Sequence, residues 1–272
     1  VIQHMPGDRR WTEGGDYNNL RLSAVLNYMI DVIDAAWDCG IRVFKPQSGH
    51  FERLPLVGQM VLSILCGHIR DLAKRDKAPC FLIIDRKAGD IADSQVPCYD
   101  AYLTDVSKQV FGSIRGQFGF DSITTTSWMG DDVLSAGLPH FKNGKGATVV
   151  TRTSNPSGTM LQDAHIIPSA VEVTPQQAAF RYTPEMHVEL TRLAGFPPLA
   201  HEAMLYATTL FSRNNGLDWQ GVSPLFSVMG ATRKMSTTFR TIRGDGAIVL
   251  RSLAVFEARV QHRAPQHTRG AS

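Results

Sequence analysis

PCFLIIDRKAGDIADS, residues 79 to 94, runs five apolar or soft residues, Cys80 to Ile84, directly into Asp85, Lys87 and Asp90. An uninterrupted apolar run of this length is the pattern of a strand buried on both faces. Side chains i and i+2 of a strand share a face, so Asp85 and Lys87 are expected to point the same way. Gly89 allows a turn, and Asp90 opens the loop into the next helix. Two carboxylates and an ammonium at the end of a buried strand are costly to hold unless they pair with one another or act on a ligand. D-x-K-x-x-D alone is a short pattern, and a solvated strand end is the commoner source of it. The flanking sequence decides between the two.

On the N-terminal side, a helical pattern runs from Leu20 through Leu22, Val25, Leu26, Met29, Ile30 and Ile33 to Ala36. Asn18 or Asn19 suits its N-cap and Gly40 its stop. Ile41 to Phe44 reads as a short strand ending at Lys45-Pro46, and a second helix is expected over about Phe51 to Lys77. On the C-terminal side come a helix around Pro97 to Ile114, a β-prone stretch Ser122 to Met129, a short helix Asp131 to Leu138 and a strand Ala147 to Val150. That strand runs into Arg152-Thr153-Ser154-Asn155-Pro156. After a long section, 157–222, with helices near Thr183–Ala194 and Ala200–Phe211, a strand Leu225 to Met229 ends in Gly230. A short helix Lys234 to Ile242, a strand Ala247 to Leu250, a helix Leu253 to His262 and a disordered tail 264–272 complete the chain.

Strand and helix alternate almost throughout, which implies a parallel sheet covered by helices. The candidate polar residues Lys45, Asp85, Lys87, Asp90, Ser154 and Arg251 each follow a strand. The C-terminal rim of a parallel barrel or sheet collects residues in this way, and such rims carry active sites.

Composition narrows the class. The chain has 272 residues, 43% hydrophobic and 19% charged, with a formal net charge of +3. That suits a soluble α/β domain, read here as one domain over residues 1–272. No basic block or aromatic-interleaved patch supports nucleic acid as a partner. No apolar stretch approaches a membrane span, and no signal-peptide pattern is present. The four cysteines, Cys39, Cys66, Cys80 and Cys98, lack metal-ligand spacing and are expected to be free, buried thiols in a reducing, cytoplasmic setting. The nine histidines are scattered without pairing, and none reads as a ligand or base; His50 and His68 are expected on helix surfaces. The chain opens on Val1 rather than Met, as a fragment or processed chain would.

Four blocks, FKPQSGHFE (44–52), IIDRKAGDIADS (83–94), TRTSNPSG (151–158) and VMGAT (228–232), together resemble the orotidine 5'-phosphate decarboxylase family, particularly its bacterial branch. A weaker fifth is DSITTTSWMGDD (121–132), with Thr126-Ser127 where the family tends to have Asn-Pro. The resemblance implies a (β/α)8 barrel that converts orotidine monophosphate to uridine monophosphate and CO2 in pyrimidine biosynthesis, without cofactor or metal. Losing CO2 leaves a carbanion on the pyrimidine ring, which an adjacent ammonium can stabilise and then protonate. By the resemblance Lys87 is that proton donor. Asp85 faces the substrate carboxylate and disfavours the ground state. Lys45 completes a Lys45–Asp85–Lys87–Asp90 array. Asp90 and Ser94 reach into the neighbouring subunit's site, implying a homodimer, with Ser94 standing where the family usually has Thr. Ser154 would hydrogen-bond the pyrimidine edge, and Arg251 is the phosphate candidate.

The sequence also departs from the family pattern. Nothing before Leu20 reads as the family's first strand with its ribose-binding Asp. No Gly-rich phosphate loop with a Gln is found, and Leu250 stands where the family favours Gly. Six strands are legible where a closed barrel of this type has eight, so an incomplete barrel is expected. His165 to Val173 offers a substitute strand. A weakened phosphate grip is expected to lower turnover as well as affinity. Two other readings stand beside the decarboxylase: a non-catalytic barrel remnant, and a metal-using relative such as a hexulose-phosphate synthase or ketogulonate-phosphate decarboxylase, against which RTSNP argues.

Overall fold

The computed structural model describes residues 19–54, 57–104, 118–168, 182–195, 197–218, 222–230 and 248–250. The described residues form two compact units, one drawn from 1–85 and 118, the other from 86–104 and 119–250. Strand β2 crosses from one to the other at Asp85/Arg86.

In the first unit, helix α1 (Asn19–Asp38) ends as the periodicity predicts, with Gly40 at φ 88° just beyond it. Strand β1 is only Val43–Phe44, and it pairs in parallel with β2 (Phe81–Ala88), Val43 opposite Phe81 and Phe44 opposite Leu82. Between them the single helix expected over 51–77 is two, α2 (Ser48–Glu52) and α3 (Val57–Arg75). Gly58 explains the tight join. A Cβ there would lie 1.8 Å from the Phe51 carbonyl oxygen, so only glycine lets the two helices approach. The core gathers Trp37, Val61, Leu62, Leu65, Cys66, Ile69, Leu82 and Ile84. The Trp37 indole donates to Asp76 Oδ2 at 2.7 Å, stacks on Phe44 and lies under the Arg42 guanidinium. Bonds from Arg75 and then Trp37 hold the exposed Asp76 carboxyl down at about 2.

In the second unit, the end of β2 is followed by β3 (Ser122–Thr125), β4 (Gly146–Arg152), β5 (Leu225–Met229) and β6 (Ile248–Leu250). The β3–β4, β4–β5 and β5–β6 ladders are all parallel. Helices α4 (Ala92–Leu103), α5 (Asp132–Ser135), α6 (Leu138–Lys142), α7 (Thr159–Gln162), α8 (Pro184–Ala194) and α9 (Ala200–Asn214) connect them. The interior packs Tyr99 edge-on to Phe141, with Phe120, Ile123, Val149, Leu205 and Leu225 buried. Burial pushes the Tyr99 hydroxyl up to about 12. All seven residues of β4 are buried, as a strand covered on both faces requires.

Several expectations change. Helix α4 begins five residues before Pro97, which sits inside it. Asp93 in the first turn favours that start, and exposed Pro97 removes only one ladder donor. Only Cys66 is buried; Cys39 is exposed, Cys80 and Cys98 are half-buried, and none of the four forms a disulfide. The histidines are not unpaired: His68 meets Asp34 at 2.6 Å, His140 meets Asp100 at 2.8 Å and His201 meets Asp163 at 3.3 Å. The substitute strand at 165–173 does not form over its described part, where His165 makes a single antiparallel bridge to Leu199. The expected helices at 234–242 and 253–262, Arg251, the tail, and any strand before Leu20 lie outside the described residues. Among the described residues there are six strands, as the sequence indicates, and no helix is long and apolar enough to cross a membrane.

Candidate active site

The residues quoted first sit at the C-terminal end of β2 and in the turn beyond it. In the first unit, Asp85 is 6% exposed and forms an ion pair with Lys45, whose side chain remains 38% exposed at the end of β1. Backbone contacts lock this pair: the Asp85 amide donates to the Pro46 carbonyl at 2.9 Å, and Ser48 Oγ donates to the Asp85 carbonyl at 3.3 Å. A parallel bridge joins Gln47 to Asp85. The FKPQS block thus wraps the Asp85 backbone, which is why Lys45 and Asp85 meet across two neighbouring strand ends. A partner of opposite charge is what a nearly buried carboxylate needs.

In the second unit, Lys87 departs from the strand pattern. Its φ is 51°, in the left-handed region that non-glycine residues rarely enter, and its amide donates to Thr124 Oγ1 at 2.8 Å. Period-two alternation therefore stops before Lys87: Arg86 and Lys87 are both exposed, so the shared face expected for Asp85 and Lys87 does not follow from strand geometry. Strained backbone of this kind persists only where the surroundings over-determine it, and it concentrates at functional sites. Gly89 is needed for space rather than for a turn, because a Cβ there would come within 2.4 Å of the Thr126 methyl. Asp90 is exposed; its Oδ1 accepts from the Ile91 amide at 2.8 Å, and its own amide donates to Gln95 Oε1 at 3.2 Å. Ser94 lies exposed in the first turn of α4. Asp132 Oδ2 accepts from the Ala92 amide at 3.4 Å, so the DSITTTSWMGDD block helps cap that helix. Its neighbour Asp131 is pushed up to about 6 by burial and then by the Asp132 charge.

Ser154 follows β4. A β-bulge between Val150 and Arg152 leaves Thr151 as the extra residue, its Oγ1 donating to the Val228 carbonyl at 3.0 Å. The bulge turns Arg152 inward, 5% exposed, into a bidentate pair with Asp163 at 2.8 and 2.9 Å. His201, lowered below its usual value mainly by burial, stands beside Asp163. Gly230, from the VMGAT block, presses on the same loop. A Cβ there would sit 2.7 Å from the Ser154 Cα and the Thr153 carbonyl oxygen. The sequence did not single out Arg152, Asp163 or His201; the only signal was an arginine directly after an apolar strand. Among the described residues, no three His, Cys, Asp or Glu side chains converge into a metal-binding group.

A curated relative from Caldicellulosiruptor bescii, named orotidine 5'-phosphate decarboxylase, is 32% identical over 154 residues, 56% of this chain and 47% of the relative. A Nocardioides protein of the same name is 26% identical over 248 residues, covering 89% of this chain and 79% of the relative. The chain is similar to curated orotidine 5'-phosphate decarboxylases at 26–34% identity. No protein-family model matches it. The chain spans about half the length of the first curated relatives it matches in this decarboxylase family. The structure of Leishmania donovani OMP decarboxylase aligns with a TM-score of 0.54 at 19% identity, over 84% of this chain and 68% of that one. That of L. donovani UMP synthase gives 0.52 at 19% identity, over 81% and 37%. With these decarboxylase-family neighbours, the fold is an incomplete (β/α) barrel.

Proposed function

We propose that the chain is a cofactor-independent decarboxylase that converts orotidine 5'-monophosphate to uridine 5'-monophosphate and CO2. The observation that carries this reading is the buried Asp85 paired with Lys45, followed two residues later by Lys87 in a strained backbone conformation. The bond from the ring carbon to the carboxylate breaks, its electron pair stays on that carbon, and CO2 leaves. The Lys87 ammonium stabilises the developing carbanion and delivers the proton that completes the product. Asp85, beside the substrate carboxylate, disfavours the ground state and is relieved as CO2 departs. Lys45 keeps Asp85 oriented. Ser154 reads the pyrimidine edge and Arg251 holds the phosphate. Asp90 and Ser94 complete the site of a second copy in a cytoplasmic homodimer serving pyrimidine biosynthesis, and residues 1–272 act as one barrel domain.

Calorimetric titration with uridine monophosphate tests the binding half of this reading. Saturable binding, weakened by Ser154→Ala and by Arg251→Ala and indifferent to a chelator, is the expected result. A folded chain with no saturable binding would instead favour a non-catalytic barrel, and binding lost on chelation would favour a metal-using relative.

A further inference from the structure

The section 157–222 has no role legible in the sequence, yet it supplies most of the polar groups that grip the loop after β4. Asp163 lies just past α7 and takes both arms of the Arg152 fork. Arg152 Nη1 also donates to the Thr153 carbonyl at 2.9 Å. Gln162 Oε1 accepts from both the Thr153 amide at 2.9 Å and the Thr153 hydroxyl at 3.1 Å. Its own carbonyl accepts from His201 Nδ1 at 2.5 Å, and because a carbonyl can only accept, Nδ1 carries a proton. On the other side the Gly230 amide donates to the Arg152 carbonyl at 3.0 Å. Amide, hydroxyl and carbonyl of Thr153 are thus all bound, one residue before Ser154. A buried Arg–Asp pair is a poor source of net stability, since its desolvation offsets much of its attraction. What it supplies well is a single geometry.

We propose that Arg152, Asp163, Gln162 and His201 form a positioning clamp that fixes the Thr153–Ser154 backbone so that Ser154 meets the pyrimidine edge of the nucleotide. This rests on the function proposed above for Ser154. The clamp residues touch no substrate; they act through the loop. It gives the 157–222 section a purpose: α7 and the start of α9 add side-chain support to a loop that leaves the sheet just past a bulge.

The test uses Gln162→Met, which removes the Thr153 acceptor at nearly constant volume and leaves no buried charge unpaired, alongside the harsher Asp163→Asn. Uridine monophosphate affinity is measured in the wild type, Gln162→Met, Ser154→Ala and the double variant. Loss of the part-buried bonds to Thr153 predicts a fall of about tenfold in Gln162→Met. Because the clamp acts through Ser154, Gln162→Met is expected to add less than twofold in the Ser154→Ala background. Full additivity would overturn the proposal, since a merely structural role costs the same in both backgrounds. Amide hydrogen exchange of the unliganded chain separates the two layers. Faster exchange at Thr153–Asn155 in Gln162→Met, with β4 and α9 unchanged, is the expected result, and unchanged exchange overturns the clamp. A wild type that fails to bind uridine monophosphate overturns the proposed function and the pyrimidine role with it, whereas the exchange result still decides the clamp.

Discussion

Gly230→Ala probes why two separated sequence blocks, RTSNP and VMGAT, occur together. The added methyl would stand 2.7 Å from the Ser154 Cα, 2.7 Å from the Thr153 carbonyl oxygen and 2.8 Å from the Ser154 amide nitrogen. Comfortable carbon contacts begin near 3.5 Å, so the strand end and the loop must separate by about 0.8 Å. All three atoms are backbone, and Thr153 is tied to Arg152 and Gln162, so no side-chain rotation can relieve the overlap. Overpacking of this kind costs about 1–3 kcal/mol. Displacing a binding loop by about 1 Å can cost as much as 10²-fold in a reaction that depends on alignment. Urea denaturation should therefore show Gly230→Ala less stable by about 1–3 kcal/mol at an unchanged m-value. Uridine monophosphate affinity should fall about tenfold or more. Gly49→Ala is the control: nothing lies within 4 Å of a Cβ there, and it should be neutral or slightly stabilising. A Gly230→Ala variant as stable and as tight-binding as the wild type would refute the close-approach argument.

Other expectations follow from the same geometry. Burial raises Asp131 from 3.8 to about 6, so above that range the folded state carries a charge it disfavours. At about 1.4 kcal/mol per unit the full shift is roughly 3 kcal/mol, and partial solvent exposure reduces it to about 1–2. Asp131→Asn should stabilise the chain by that amount at pH 7, and the gain should shrink as pH falls toward 4, read from denaturation midpoints across pH. His201 shifts the other way: its folded value lies below 6.5, so the unfolded state takes the proton first and stability is lost as pH falls below about 6.5. Asp163 and Glu202 favour its charged form and Arg152 opposes it. His201→Gln should flatten the acid limb of the stability profile. Gly58→Ala, with a Cβ 1.8 Å from the Phe51 carbonyl oxygen, should be strongly destabilising, by about 3 kcal/mol or more, checked by thermal unfolding.

Elements with strong local punctuation were legible in the sequence. Leu225–Met229 matches residue for residue, and the helix expected near Thr183–Ala194 spans Pro184–Ala194, because Pro184 and Gly195 bracket it and Thr183 caps it by accepting from Met186. The expected 51–77 helix is too long because it runs through Pro55, a residue that interrupts helical hydrogen bonding; the structure has helices ending at Glu52 and restarting at Val57. Helix α4 was placed late because Pro97 reads as a first-turn residue, whereas the start is set by Asp93 and by a distant acceptor on Asp132. Lys45 joins Asp85 in the sequence only through the family resemblance, and the structure pairs the two side chains at the end of β1. Lys87's conformation was not legible, since nothing local in D-R-K-A demands a positive φ. Nor was the Arg152 clamp. It depends on a one-residue bulge and on partners nine and more residues away in a section with no motif of its own.

The central claim is that the decarboxylation residues on β2 and its neighbour still turn over substrate. The most direct measurement is the loss of ultraviolet absorbance as purified chain acts on orotidine monophosphate, with Lys87→Ala in parallel. The account expects measurable turnover in the wild type and a loss of at least about 10²-fold in Lys87→Ala, the scale of a positioned proton donor. A folded wild type with no turnover, or a Lys87→Ala variant as active as the wild type, would contradict it.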